Sequence, residues 1–183
     1  TALGQVKTKI DPLGRVASFK YDISGNLVEE TDPSGNVKTW VYNTLNQLER
    51  KILPEQTFAF SYNARGKLAS VSHAQAAVTL GYDSQDRMTA IHVVGVSGLD
   101  GYGYSLTNAY DEDSNRISRT ASFRTDWIWR PGGQVEYQFD ARNNLVAQIN
   151  EQGQLFSFER DGAGRLKRQT AALGSSSPVL LDS

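Results

Sequence analysis

An aromatic residue followed by Asp or Asn recurs at Tyr21-Asp22, Tyr42-Asn43, Tyr62-Asn63, Tyr82-Asp83, Tyr110-Asp111 and Phe139-Asp140, with a degraded seventh copy at Arg160-Asp161. Successive anchors lie 21, 20, 20, 28, 29 and 21 residues apart. A unit of about twenty residues kept through seven copies confines the chain to architectures in which each unit packs on the next. The two long intervals mark insertions.

The surroundings of each anchor give the unit its structure. Two residues before it stand Phe19, Trp40, Phe60, Leu80, Tyr137 and Phe158, with Asn108 the exception. Four before it stand Ala17, Lys38, Phe58, Val78, Leu106, Val135 and Phe156, and the intervening positions are small or polar. Alternation with period two and β-formers on one face predicts a strand whose last inward residue is the anchor. Four residues after it come Gly25, Asn46, Gly66, Asp86, Asn143 and Gly164, the residue types that tolerate positive φ most readily. An apolar residue returns six after the anchor at Leu27, Leu48, Leu68, Met88, Leu145 and Leu166. Each unit is therefore expected to be a β-hairpin with a loop of four or five residues. In the fifth copy the apolar Ile117 falls seven after Tyr110, which implies one extra loop residue. Alternation on the returning strand is irregular and leaves its inward face open.

A second turn joins successive hairpins at Asp11-Pro12-Leu13-Gly14, Asp32-Pro33-Ser34-Gly35, Leu53-Pro54-Glu55-Gln56 and Asn150-Glu151-Gln152-Gly153. Strand, turn, strand, turn in twenty residues leaves no room for helix, so the fold class is all-β. Organisation follows: four regular repeats over 1–92, a Gly/Tyr-rich insert over 93–109, and three further repeats over 110–170 interrupted by a Trp-containing insert near 119–133. Residues 171–183 form a linker or the start of another repeat. Polar substitution at Phe60 or Tyr62 is expected to cost roughly 3–5 kcal/mol if those rings are buried.

Composition removes function classes. Nineteen Lys and Arg against 20 Asp and Glu, a net charge of −1, argue against a dominant nucleic-acid footprint and a polybasic membrane anchor. Zero Cys removes disulfides, thiolate metal sites and thiol nucleophiles. His73 and His92 have no third ligand nearby and are expected to be structural or surface residues. Asp111-x-Asp113-x-Asn115 begins like a calcium loop, but Arg116 stands where Gly is needed and Ser122 where the final acid is needed, so a solvated turn is expected. No cofactor, metal, nucleic-acid partner, direct membrane insertion or catalytic constellation is expected. The insert rings Tyr102, Tyr104, Trp127 and Trp129 lie outside the aromatic column and are the candidates for contact with a partner or ligand.

The unit, aromatic-Asp-x-x-Gly-Arg/Asn-Leu followed by a D-P-x-G turn and an aromatic-rich strand, resembles the YD repeat of the RHS family over roughly residues 10 to 170. Tyr21-Asp22-Ile23-Ser24-Gly25-Asn26-Leu27 and Asp161-Gly162-Ala163-Gly164-Arg165-Leu166 carry the likeness best. That family includes bacterial polymorphic toxins, C subunits of insecticidal toxin complexes, wall-associated proteins and teneurins. The resemblance implies a long β-sheet spiralling into a hollow shell. In bacterial members the shell encloses a C-terminal toxin domain in a secreted or cell-surface protein used in bacterial competition. The partners so implied are neighbouring repeats of the same longer chain and the enclosed toxin; the chain is expected to be one stretch of such a shell. The family's shell often ends in an aspartyl autoprotease marked D-P-x-G-L, but Asp11-Pro12-Leu13-Gly14-Arg15 has Arg for the final Leu and more repeats follow. It is expected to be an ordinary turn, and the chain no enzyme. The alternative from another class is an extracellular adhesive or carbohydrate-binding repeat module.

Overall fold

The computed structural model describes residues 4–95, 101–172 and 179–181; Val96–Asp100 of the Gly/Tyr-rich insert and most of 173–183 lie outside the described residues. Among the described residues there is no helix: the elements are strands joined by turns. The chain divides into two units, Thr1–Val78 and Thr79–Ser183. In the first, β1 (Thr8–Ile10), β2 (Val16–Tyr21), β3 (Leu27–Thr31), β4 (Val37–Tyr42), β5 (Leu48–Leu53), β6 (Gln56–Tyr62) and β7 (Leu68–Ser72) form an antiparallel meander. β8 (Ala76–Tyr82) spans the boundary. The second unit continues with β9 (Met88–Gly95), β10 (Gly103–Tyr110), β11 (Arg116–Thr125), β12 (Ile128–Phe139), β13 (Leu145–Ile149), β14 (Leu155–Arg160), β15 (Leu166–Ala172) and β16 (Val179–Leu181), again pairing neighbour to neighbour.

Each repeat hairpin closes in one way. Asp22 N–H donates to the Asn26 carbonyl (2.9 Å) and Gly25 N–H to the Asp22 carbonyl (3.2 Å). The Asp22 carboxylate meanwhile accepts the N–H groups of Ser24 and Asn26, both at 2.9 Å. Local side-chain acceptors of this kind replace the backbone partners that the turn cannot supply. The position four after the anchor has positive φ in every copy: Gly25, Asn46, Gly66, Asp86, Ser114, Asn143 and Gly164. That is what the Gly, Asn and Asp spacing predicts, and Ser114 supplies the copy that the spacing had not placed.

The fifth loop is corrected. Asp111 N–H bonds to the Asn115 carbonyl and Tyr110 pairs with Arg116, so this loop is as long as the others. Arg116 holds the position that Leu holds elsewhere. Ile117 is the residue of a β-bulge, and it is exposed. One such bulge occurs beside the anchor in five other hairpins, between Lys20/Tyr21, Val41/Tyr42, Ser61/Tyr62, Gln138/Phe139 and Glu159/Arg160. An extra residue shifts side-chain parity, which is why the returning strands do not alternate cleanly in sequence.

Burial also departs from expectation. β6 alternates as predicted, with Phe58, Phe60 and Tyr62 on one face and Thr57, Ala59 and Ser61 on the other. Yet the rings are only half-buried. Among the described residues just Ala147 and Ser105 count as buried, at 9% and 8% exposure, because each unit is a single layer with no second sheet or helix against it. One face carries Phe19, Tyr21, Trp40, Tyr42, Phe58, Phe60 and Tyr62; the opposite face carries mostly Ser, Thr and the Lys20–Glu29 ion pair (2.7 Å). With half-buried rings, Phe60→Ser is expected to cost roughly 1–2 kcal/mol rather than the larger core value. Urea denaturation of the variant checks this.

The turn carboxylates link stability to pH. Asp11, Asp22, Asp32 and Asp111 are held below the ordinary carboxylate range, first by the side chain four residues on (Arg15, Asn26, Asn36, Asn115) and then by backbone N–H donors. Asp140 and Asp161 are lowered first by backbone N–H groups, then by the side chains of Asn144 and Arg165. A carboxylate more acidic in the folded than in the unfolded state stabilises the fold above its unfolded pKa and ceases to do so as pH falls through the folded one. Denaturation midpoints are thus expected to be flat from neutrality to about pH 5 and to fall below about pH 4. Asn at positions 22, 111, 140 and 161 should flatten that acid limb.

Candidate functional site

Two side-chain ladders run from repeat to repeat, and they define what the anchor residues do. The first is built by the anchors. Tyr21 donates its hydroxyl to the Val6 carbonyl (3.0 Å), Tyr42 to Leu27 (3.2 Å), Tyr62 to Leu48 (2.9 Å) and Tyr110 to Met88 (2.8 Å). Each acceptor lies within two residues of the start of the return strand in the preceding repeat. A half-buried Tyr gains a partner for its polar end while its ring lies on the sheet. In the degraded seventh copy Arg160 Nε takes the same bond, to the Leu145 carbonyl at 3.5 Å, so the loss of the aromatic keeps the latch. Phe139 has no hydroxyl to donate.

The second ladder is built by the residue five after the anchor, which is Asn, Gln or Arg in six copies and Lys67 in the third, a recurrence the sequence displays but does not explain. Asn26 Nδ2 donates to Asn46 Oδ1, Gln47 Nε2 to the Gly66 carbonyl (3.2 Å) and Asn115 Nδ2 to Asn143 Oδ1 (2.9 Å). Arg87 donates to the Asp111 carbonyl (2.7 Å) and stacks its guanidinium 4.8 Å from the Tyr110 ring centre. These bonds tie four of the hairpin turns to the turn that follows along the edge of the sheet. Asp22, Asn43, Asn63, Asp83, Asp111, Asp140 and Asp161 are thus turn-closing residues, and Gly25, Gly66 and Gly164 supply the positive φ they need.

The inserts form the other candidate region. Within 93–109, where the repeat register is lost, the residues up to Gly95 and from Gly103 onward are regular strand: Val94 pairs with Gly103 and Ala90 with Thr107 without a bulge. Arg119 to Gly133 is likewise strand, a long hairpin closed by Asp126 (φ 49°) and Trp127 (φ 67°). Positive φ at both turn residues is the type I′ geometry that matches strand twist. Trp127 N–H donates to the Gly101 carbonyl (3.2 Å), joining the tip to the neighbouring hairpin.

The four insert rings do not form one cluster. Tyr104 packs against Phe123, centres 5.5 Å apart, on the face that carries Tyr110. Trp129 lies on the opposite face, in the cross-strand row Val94–Gly103–Arg124–Trp129. Trp127 stacks under the Arg124 guanidinium at 4.8 Å, and Tyr102 is 55% exposed. Next to Trp129 runs the row His92–Ser105–Ser122, and these four residues line a recess of about 250 Å³. Among the described residues no group of three or more His, Asp and Glu is placed to hold a metal ion.

The RHS repeat family profile matches residues 1–37 and 139–176. No curated protein matches the chain. Among solved structures, the crystal structure of TcdB2-TccC3-Cdc42 superposes with a TM-score of 0.67 at 16% identity over 90% of this chain and 9% of that one. TcdB2-TccC3 without its hypervariable C-terminal region gives 0.54 at 13% identity, over 95% of this chain and 11% of that one. The Photorhabdus luminescens Tc holotoxin pore gives 0.54 at 13% identity, over 91% and 11%. The chain therefore spans about a tenth of the length of the structures it matches, and at these identities the likeness is one of fold. RHS repeats are thus matched at both ends of the chain, and the same aromatic-Asx unit and turn chemistry recur between the two matched segments.

Proposed function

We propose that this chain is a stretch of wall in an RHS shell that encloses a C-terminal toxin domain of an exported bacterial protein. The observation that carries the reading is the single layer. A sheet with no covering layer and an aromatic face only half sheltered from water leaves more apolar area exposed than a free-standing domain normally does. Closing such a sheet around a lumen shelters one face without adding a second layer. On this reading Phe19, Trp40, Phe58 and Phe60 face the enclosed chain, and the Ser, Thr and ion-paired face meets solvent. Apolar rings interspersed with Glu30–Lys38 (3.1 Å) and with Lys51 over Trp40 (5.8 Å) offer an unfolded cargo contacts of mixed character rather than a single specific pocket. The work assigned to the repeats is containment. The adhesive-module alternative requires the aromatic face to be open to large ligands.

The absence of Cys gives a direct test in the longer protein that this reading requires. Single cysteines at Phe58 and at Thr57 place a thiol on the aromatic and the opposite face of the same strand. A bulky maleimide is expected to label Thr57→Cys in the native protein and Phe58→Cys only after unfolding, with Phe58→Cys crosslinking to the downstream domain. Equal labelling of the two thiols in the native state would falsify the wall reading.

A further inference from the structure

We propose that the sheet carries a seam between its sixth and seventh repeats, where β14 and β15 swing away from β13 as one hairpin, hinged at the Asn150–Gln154 turn. Where both ladders run, a repeat is tied to the one before it twice. Tyr42 reaches the Leu27 carbonyl at 3.2 Å while Asn26 reaches Asn46, and Tyr110 reaches Met88 at 2.8 Å while Arg87 reaches Asp111 at 2.7 Å. The seventh repeat lacks the turn tie and has the anchor tie in its longest form. Arg160 Nε stands 3.5 Å from the Leu145 carbonyl, outside the usual N–H···O range of about 2.7–3.2 Å. Its Nη1 donates to the Gly164 carbonyl at 3.0 Å, inside its own turn. At the same place in the third repeat, the Gly66 carbonyl receives Gln47 from the repeat before. Asn144, the residue placed to make that bridge, directs its amide to Asp140 at 3.2 and 3.1 Å instead. Arg in place of Tyr at the anchor thus turns a bond between repeats into a bond within one.

Strand pairing at this junction is short. β13 meets β14 through Ala147–Ser157, Gln148–Phe156 and Ile149–Leu155, and none of these residues is charged. β3 and β4 meet over an equally short stretch, Glu29–Thr39, Glu30–Lys38 and Thr31–Val37, but the Lys38–Glu30 ion pair (3.1 Å) and both ties hold them together. One end of the β13–β14 junction is closed firmly. Asn150 donates to Gln154 at 2.7 Å and accepts the N–H groups of Gln152 and Gln154. The other end is open: a cleft of about 380 Å³ lies between the two hairpin turns, lined by Asp140, Arg142, Asn144, Arg160, Asp161 and Gly164. One end closed and the other untied makes a wedge. The seventh hairpin is itself well joined, β14 and β15 pairing from Leu155–Ala172 to Arg160–Leu166, so it moves as a unit. Local opening favours just such places, where few contacts join one cooperative segment to the next. The seam belongs to two neighbouring repeats and is indifferent to what the sheet encloses.

Amide hydrogen exchange, resolved by residue on the whole chain, reads the seam directly. The amides that bridge β13 and β14 are expected to exchange at least about ten-fold faster than those bridging β3 and β4, and faster than those bridging β14 and β15. Fraying from the C-terminal side would release β15 before β14, the opposite order. The double variant Asn144→Arg, Arg160→Tyr copies onto this junction the ties that Arg87 and Tyr110 make to Asp111 and Met88. It should slow the β13–β14 amides about ten-fold and leave the β3–β4 amides unchanged. The proposal fails if the β13–β14 amides of the parent exchange no faster than the β3–β4 amides, if β15 is released before β14, or if the folded double variant exchanges at β13–β14 as the parent does. The exchange pattern of the parent chain decides the matter even if the double variant fails to fold.

Discussion

Backbone hydrogen bonding between adjacent strands is what every other feature of this chain depends on, because burial is in short supply. In a two-layer domain the interior fixes which strand goes where, and the turns merely follow. Here no large side chain is fully buried among the described residues. The register must be set locally, by turns that close in one way only and by side chains that reach one repeat and no further. The Asx oxygen at the start of each turn does the first job, taking two backbone N–H groups that would otherwise bond to water. The bulge beside six of the seven anchors does the second, because it fixes which face the anchor shows.

The partner of the Asx residue shows how closely the turn chemistry is specified. Where the first residue is Asp, the residue four later donates: Arg15 to Asp11 at 2.7 Å, Asn36 to Asp32 at 2.9 Å, Arg165 to Asp161 at 2.8 Å. At Asn43 and Asn150 the amide donates instead and the partner is Gln: Asn43 to Gln47 at 3.0 Å and Asn150 to Gln154 at 2.7 Å, whereas Asn63 has Lys67 at that place. The pairing is complementary in hydrogen-bonding sense, and charge is incidental to it. The same chemistry serves the turns inside repeats and those between them, so two sequence motifs that look different are one device. Leu53-Pro54-Glu55-Gln56 departs from it, with Leu53 pairing directly to Gln56 around a two-residue loop.

Much of this was legible in the residues. The anchors, the alternation of Phe58, Phe60 and Tyr62 and the positive-φ positions all follow from spacing, because period and turn chemistry are local properties. What was hidden required knowing a neighbour. The Tyr hydroxyl latch joins residues 14 to 22 apart, and its acceptor is a carbonyl, which has no signature in side-chain identity. The bulge was hidden for a related reason: it is a property of a pair of strands, and in the fifth copy the apolar Ile117 imitates the missing Leu while Arg116 occupies its place. The inserts looked irregular because Gly, Pro and Trp disturb composition. Their described residues nevertheless lie mostly in long strands; in the second insert Gly132 and Gly133 absorb a bulge and Asp126–Trp127 a tight turn. The recess beside Trp129 needed three strands in register before its side chains could be seen to share a face.

The two ladders point in opposite directions along the chain. Every anchor latch has its donor in the later repeat and its acceptor in the earlier one, while the turn ladder has its donor in the earlier repeat and its acceptor in the later. Where both ladders run, a finished repeat thus presents a waiting carbonyl and a waiting donor to the repeat that follows, and both are satisfied within the next 30 residues or so. A ribosome delivers a chain in that order. Such a meander of hairpins can be laid down course by course as it is made, each new hairpin finding a template already standing, with no need for the far end to exist before the near end is secure.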